Sequence, residues 1–237
     1  ILTREPDSID LFAAETGAAL AETLYLIGDK LAPEVRQRVR QEVQRRIFMP
    51  YLAYARDHWW FKGALNWNGV CNGSCALAFL HLERDPEILA EALELALEGF
   101  EAYIATGFEA DGGSIEGVGY WNYGLMYYVI VAEMLRERTN GRLDLLNTKR
   151  MRSIARYPVS MALSDGVFMN FGDATEDLLV AAGIVAHTRL EADESHVREA
   201  LDAGASAYVL KRGSSRNLLD AVRRVMHDDG ENGKSAQ

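Results

Sequence analysis

The chain has 237 residues, of which 49% are hydrophobic and 25% are charged, and its formal net charge is −10. The composition is that of a globular protein rather than a disordered one, and the length suffices for one large domain or two small ones. The negative charge argues against a nucleic-acid partner, because phosphate binding requires clustered cations, and no apolar run reaches the ~18 residues typical of a membrane span.

The first residues indicate a processed or excised chain. The sequence opens with Ile1, and no basic segment followed by an apolar one comes next. We therefore expect either a chain whose leader has been removed or a piece of a longer protein. The compartment cannot be inferred from this end.

The first fifty residues predict two helices. The stretch from about Ile9 to Leu31 is rich in Ala and Leu and lacks strand alternation. Pro33 suits the first position of a second helix, and Pro50 should kink or end it. An apolar stripe of four residues defines the buried face of this helix: Val35, Val39, Val43 and Ile47.

Three further helical segments follow. We predict a helix from about Val70 to Leu82 and another that starts at Asp85-Pro86, a capping residue followed by proline. The glycine-rich stretch from Gly107 to Gly119 should be a loop. A helix from about Tyr120 to Arg138 should then end near Asn140-Gly141.

The next part of the chain predicts a helix bent at Pro158, over Thr148 to Leu163. A short β-like stretch, Val167 to Phe171, and a helix from Thr175 to Thr188 should follow. Successive helices with almost no strand signal predict a mainly α fold, namely a bundle, a solenoid or a toroid. No repeat of fixed period is visible, which makes a regular solenoid less favourable.

The cysteines indicate no disulfide and no metal site. Cys71 and Cys75 are four residues apart on one predicted helical face, where an unstrained disulfide is hard to form. No further ligand lies at a suitable spacing nearby, so we expect two small buried side chains and neither a metal nor another cofactor.

Unusual residues concentrate in three motifs: Asn66-Trp67-Asn68-Gly69-Val70-Cys71-Asn72-Gly73, the segment Asp111 to Gly124, and Asn170-Phe171-Gly172-Asp173. All four tryptophans lie in or beside the first two. Aromatic faces next to amides and glycines are typical of a sugar site, where rings stack on sugars and amides bind hydroxyls. Aromatic packing and glycine turns in a helical fold would explain the same residues equally well.

These motifs resemble the heparinase II/III group of polysaccharide lyases. The similarity covers about Asp57 to Asp177, roughly half of the chain, and implies an incomplete (α/α) toroid of helical hairpins. Members of this group cleave uronic-acid polysaccharides, such as heparan sulfate or alginate, by β-elimination. The resemblance thus implies an acidic polysaccharide as partner and a periplasmic or secreted location.

The resemblance also implies roles for individual residues. Asn66 and Asn68 would bind and neutralise the uronate carboxylate, which stabilises the charge that develops when the C5 proton leaves. Tyr123, and second to it Tyr120, would transfer protons. Five residues would contact or shape the substrate site: Trp67, Trp121, Glu116, Asn72 and Asn122. For each tyrosine, the alternative is a core ring with a locally bonded hydroxyl.

The sequence departs from the family pattern in two respects. The family usually needs a further histidine from a later β-sandwich region, and nothing here resembles one. None of the five histidines lies in a sugar-site motif. We therefore expect a lyase fragment that is inactive if that region is absent, with a non-catalytic helical module that binds carbohydrate or protein as the alternative. A dense basic cluster at Lys149, Arg150, Arg152 and Arg156 could attract an acidic polymer or could be a solvated helix face.

The sequence changes character after about residue 190. We predict two regions, 1–190 and 191–237, the second with a short α-β-α pattern. The segment from Asp193 to Lys211 resembles the end of a response-regulator receiver domain, in which a lysine, here Lys211, would contact a phosphoryl group. The acidic residues of such a domain do not precede it here, so phospho-signalling is not expected.

Overall fold

The protein is mainly α-helical, as predicted. The computed structural model describes residues 8–164, 167–169 and 184. The helices are α1 (Leu11–Ile27), α2 (Pro33–Val43), α3 (Met49–Tyr54), α4 (Asn66–Leu82), α5 (Pro86–Thr106), α6 (Gly117–Arg138) and α7 (Lys149–Met161). Strand β1 (Ala162–Ser164) pairs antiparallel with β2 (Val167–Phe168).

The described residues fall into two compact units. The first unit consists of the described residues of Ile1–Glu109 and of Tyr123–Asp144. The second unit consists of the described residues of Ala110–Asn122 and of Leu145–Gln237. The first unit contains α1 to α5 and most of α6, whereas the second contains the glycine-rich loop, the first turn of α6, α7 and the β1–β2 pair. Six helices thus contribute to the first unit, and a toroid remains a prediction.

Helix boundaries follow the capping residues of the sequence. Asp10 accepts a hydrogen bond from the Ala13 amide at 2.7 Å, and Asp85 caps α5 through the amide of Glu87. Pro33 begins α2, and Thr148 caps α7. Because side-chain acceptors satisfy the unpaired amides of a first turn, these capping residues fix where α1, α5 and α7 begin.

The prediction that Pro50 ends the second helix is wrong, because helical structure continues past it to Tyr54, whereas the alternative of a kink stays a prediction. A π-helical turn, Gln44–Phe48, connects α2 directly to α3, and Pro50 lies in the first turn of α3. Proline has no backbone N–H to donate to a helical hydrogen bond. The π-helical turn just before it has i→i+5 hydrogen bonds, which shift the hydrogen-bonding register of the backbone. Val43 and Ile47 are buried as predicted, but Val35 is exposed.

Helix α4 is the central element of the first unit. It begins at Asn66, four residues before the predicted start, so the first motif lies in a helix and not in a turn. Every residue from Asn68 to Leu82 is buried, and α4 packs against α1 and α5. The rings of Phe79 and Phe48 stack at 3.8 Å between centroids. A helix that is apolar or small on all sides is one that other helices surround.

Two glycines of α4 allow α6 to approach very closely. A Cβ on Gly69 would lie 2.5 Å from the Gly124 carbonyl oxygen, and a Cβ on Gly73 would lie 2.6 Å from Cβ of Tyr127. Neither position has room for a methyl group without displacement of a helix. The spacing of the two glycines, four residues apart, places both on the same face of α4.

The remaining predictions have mixed outcomes. The end of α6 is confirmed, with Asn140 and Gly141 at positive φ. Ala162 and Leu163, predicted as helix, belong to strand β1, which pairs with Val167–Phe168. The helix over 175–188 (apart from Ile184), the Asn170 to Asp173 motif, the boundary at residue 190 and the receiver-like segment with Lys211 lie outside the described residues.

None of the helices in the described part of the chain combines the length and hydropathy that a membrane crossing requires.

We expect Gly69→Ala to destabilise the protein by about 1–3 kcal/mol, because the added methyl group would meet the backbone of α6. This cost exceeds the gain of up to about 1 kcal/mol in helix propensity. The free energy of unfolding, measured by urea denaturation, tests this. Gly28→Ala is the control, since a Cβ there would meet only ordinary contacts. Equal stability of the Gly69 variant and the parent would contradict the close approach.

Candidate functional site

Asn68 and Asn72 are fully buried and hydrogen-bonded within the first unit. The Asn68 side-chain amide donates to the carbonyl oxygens of Phe61, Gly63 and Gly99 at 2.9–3.0 Å. The Asn68 oxygen accepts from Asn72 at 2.9 Å. These bonds join α4 to the segment before it and to α5, so both amides have a structural role in this arrangement.

A third partner completes this cluster. The Tyr51 hydroxyl donates to the Asn72 side-chain oxygen at 2.7 Å, and Tyr51 is entirely buried. Burial raises the pKa of Tyr51 well above its ordinary value. A Cβ on Gly99 of α5 would lie 2.3 Å from the Asn72 side-chain nitrogen. Only glycine at position 99 therefore leaves room for the Asn72 amide.

Asn66 and Trp67 occupy the first turn of α4. Asn66 is 3% exposed. A Cβ added to Gly124 would lie 3.0 Å from both Cα and Cβ of Asn66, so the two residues are in close contact. Trp67 is half-buried, and its ring lies 4.9 Å from that of Trp59, which is 62% exposed. The start of α4 thus has a buried amide that lies against α6 and a half-buried indole ring in contact with the exposed ring of Trp59.

Two phenols of α6 share one carboxylate of α1. The Tyr127 hydroxyl donates to Glu15 Oε1 at 2.7 Å, and Glu15 also forms a side-chain hydrogen bond with Tyr123. The rings of Tyr123 and Tyr127 meet edge to face with 6.2 Å between centroids. All three side chains are half-buried. We call Glu15, Tyr123 and Tyr127 the phenol–carboxylate cluster.

The environment keeps both phenols protonated. Burial raises the pKa of Tyr123 well above its ordinary value, and the hydrogen bond to Glu15 and the charge of Glu15 raise it further. The same causes raise the pKa of Tyr127. A phenolate beside a carboxylate in a half-buried site is unfavourable, because like charges repel and neither is fully hydrated. Both residues are therefore proton donors at neutral pH.

Tyr123 lies directly before Gly124, the residue that packs against Asn66. Of the predicted site residues in the first unit, Asn66 lies against Gly124 of α6, Trp67 contacts Trp59, and Tyr123 is hydrogen-bonded to Glu15 of α1. Asn68 and Asn72 belong to a separate face of α4, turned toward α5 and the segment before α4.

The other predicted residues belong to the second unit. Trp121 is fully buried, and its indole donates to the Ile154 carbonyl at 3.0 Å, which indicates packing against α7. Glu116, Tyr120 and Asn122 are half-buried. Gly112 has φ +97°, and a Cβ there would lie 2.2 Å from the Ser153 carbonyl oxygen, so the glycines of this loop permit close contact with α7.

Sequence reasoning missed Glu15 and Tyr127. Glu15 is one acidic residue in an Ala- and Leu-rich helix. Its side-chain partners depend on how α1 packs against other helices, which no sequence motif indicates. Tyr127 has a signal, because it is four residues after Tyr123 and so lies on the same helical face.

The described part of the chain offers no metal site. No group of three or more His, Cys, Asp or Glu side chains is arranged there to hold an ion. Cys71 and Cys75 are buried and free, as predicted, and burial raises the pKa of both thiols. Their thiols are therefore protonated and poor ligands.

We expect Asn68→Ala to lower the free energy of unfolding by about 3 kcal/mol or more, because the two N–H groups that serve two buried carbonyl oxygens and one part-buried one are lost, as is the acceptor for Asn72. Asn147→Ala, which removes an exposed amide bonded to Arg152, should cost about 0.5 kcal/mol or less. Thermal and urea denaturation compare the two. Similar stabilities would show that Asn68 is not a structural residue.

Comparison with models of known protein families finds no match for this chain, and comparison with curated proteins finds none either.

Proposed function

We propose that the chain is part of a polysaccharide lyase, in which the first unit binds a uronic-acid polymer and Tyr123 transfers protons during β-elimination. The observation that carries this proposal is the phenol–carboxylate cluster, which lies on α1 and α6 where α6 also packs against the first turn of α4. An (α/α) toroid and a periplasmic or secreted location belong to the same proposal and rest on the resemblance of the motifs.

The reaction requires a proton acceptor, a proton donor and a neutralised carboxylate. The C5 proton leaves, its electron pair forms the C4–C5 double bond, the C4–O4 bond breaks, and O4 takes up a proton. Tyr123 is protonated at neutral pH, which suits it to deliver the proton to O4. In a balanced cycle, Glu15 takes up the C5 proton, Tyr123 gives its proton to O4, and protonated Glu15 then returns a proton to Tyr123 through the hydrogen bond between them.

Hydrogen bonds from an amide can neutralise the carboxylate of the substrate. Asn66 is the candidate, because the first turn of α4 packs against Gly124 of α6, the residue that follows Tyr123 in the sequence. Asn68 and Asn72 are saturated with bonds inside the first unit and therefore act as positioning residues that hold the first turns of α4. Trp67 and Trp59 offer faces on which sugar rings can stack.

A second candidate function is carbohydrate binding without cleavage. The exposed ring of Trp59, in contact with Trp67, favours it. Such a pair stacks on a sugar whether or not a proton is transferred, and it requires no member of the phenol–carboxylate cluster.

We expect Tyr123→Phe to abolish the formation of unsaturated uronate from alginate or heparan sulfate and to leave binding of the polymer within about threefold. The substitution removes the transferable proton and keeps the ring. Product is followed by the ultraviolet absorbance of the new double bond, and binding by calorimetry. Tyr54→Phe, an exposed tyrosine on α3, is the matched control and should retain full activity.

Equal turnover by the Tyr123 variant and the parent would remove Tyr123 from the mechanism. Binding of both polymers without any product from the parent chain would favour the second candidate. Absence of both binding and product would reject the proposed function altogether.

A further inference from the structure

A histidine in the last turn of α4 packs against the last turn of α1. His81 is only 9% exposed, although it lies near the end of its helix. Its ring centroid is 5.0 Å from that of Tyr25, with an angle of 39° between the two ring planes. A side chain that titrates near neutral pH therefore joins α4 to the end of α1. We call His81 and Tyr25 the imidazole–phenol contact.

The surroundings of the His81 ring suit the neutral form. Its Nδ1 atom is buried and has no hydrogen-bond partner among the residues that the structure describes. Protonated imidazole has an N–H on both nitrogens, so the charged ring would leave a buried donor without an acceptor. Arg138 of α6 lies close by, since its guanidinium donates to the carbonyl of Leu80 at 2.8 Å.

The charges that act on His81 do not reverse this preference. Within the described part of the chain these charges are Glu22 of α1 and Arg138 of α6. Burial is the main cause that lowers the pKa of His81 below its ordinary value; Glu22 opposes this change and Arg138 adds to it. The packed state therefore favours the uncharged ring.

The end of α1 has few other buried contacts. Of its last four residues only Leu24 is buried, whereas Tyr25 is 57% exposed, Leu26 is 64% exposed and Ile27 is also exposed. A helix end with little buried surface opens locally at low cost, without unfolding of the whole domain. The buried alanines nearer the start of α1, Ala14, Ala18 and Ala21, hold the rest of the helix.

From this geometry we propose that the imidazole–phenol contact is acid-sensitive, so that protonation of His81 releases the last turn of α1 from α4. A ring that leaves its packing regains water and an ordinary pKa of about 6.5. Because the packed ring has the lower pKa, the contact is fully present above about pH 6.5 and weakens as the pH falls below that value. The inference does not depend on the proposed lyase activity.

The test is amide hydrogen exchange of the full chain, followed by NMR at about pH 7.5 and about pH 5.5 and corrected for intrinsic exchange rates. We expect the protection of amides 24–27 to fall roughly three- to tenfold at the lower pH, since the uptake of one proton at a pKa of about 6.5 permits at most about tenfold. Amides in the middle of α5 should keep their protection. The imidazole C–H resonance of His81 should titrate below the ordinary pKa.

Two variants remove the titration in different ways. His81→Phe keeps an aromatic ring against Tyr25, and His81→Gln keeps a polar side chain; in both, the protection of amides 24–27 should be independent of pH. The matched control is His58→Gln, which removes the other described histidine whose pKa burial lowers. This control should show the same fall in protection as the parent.

The other outcomes overturn the inference. Unchanged protection in the parent would show that the contact does not respond to acid, and an equal fall in parent and His81 variants would assign the response to another group. Loss of the response in His58→Gln would do the same. A parallel fall in α5 would indicate destabilisation of the whole unit instead of release of one turn.

Discussion

The close approach of α4 and α6 is the constraint on which the first unit depends. Gly69 and Gly73 lack side chains where the backbone and Cβ atoms of α6 come nearest. Any larger residue would separate the helices and lose the packing that buries α4 on all sides. The same approach brings Tyr123 and Tyr127 into position over α4, within reach of Glu15 on α1.

Polar groups inside this packing are satisfied in two different ways. Asn68, Asn72 and Tyr51 form a closed set of hydrogen bonds with buried carbonyl groups and with one another. The phenol–carboxylate cluster is half-buried and keeps exchangeable protons close to solvent. The first set stabilises the fold, because buried polar groups must be paired. The second remains partly accessible to solvent.

Much of the fold could be predicted from local signals. Pro33, Asp85, Thr148 and the Asn140-Gly141 pair act through backbone geometry and capping, which depend on few neighbours. The π turn before Pro50 could not be predicted, because it depends on how α2 and α3 pack against α1. The start of α4 was also missed, since Asn66-Trp67-Asn68-Gly69 has the composition of a turn and is helical only because other helices bury it.

The candidate site was less predictable than the fold. The motifs drew attention to the segments that contain Asn66 and Tyr123, but within Asn66-Trp67-Asn68 they could not separate an amide beside α6 from one bonded to backbone carbonyls. The difference is one of direction around a helix, about 100° per residue. Glu15 had no sequence signal, because a single acid in an apolar helix acquires a partner only through tertiary packing.

Ionisation of Tyr123 and Tyr127 tests the phenol–carboxylate cluster most directly. Selective ¹³Cζ labelling of tyrosine allows each phenol to be titrated by NMR in the parent chain and in Glu15→Gln. The account predicts that both pKa values in the parent lie well above the ordinary value of about 10 and that both fall when the charge of Glu15 is removed. Ordinary pKa values in the parent, or values unchanged by Glu15→Gln, would contradict it.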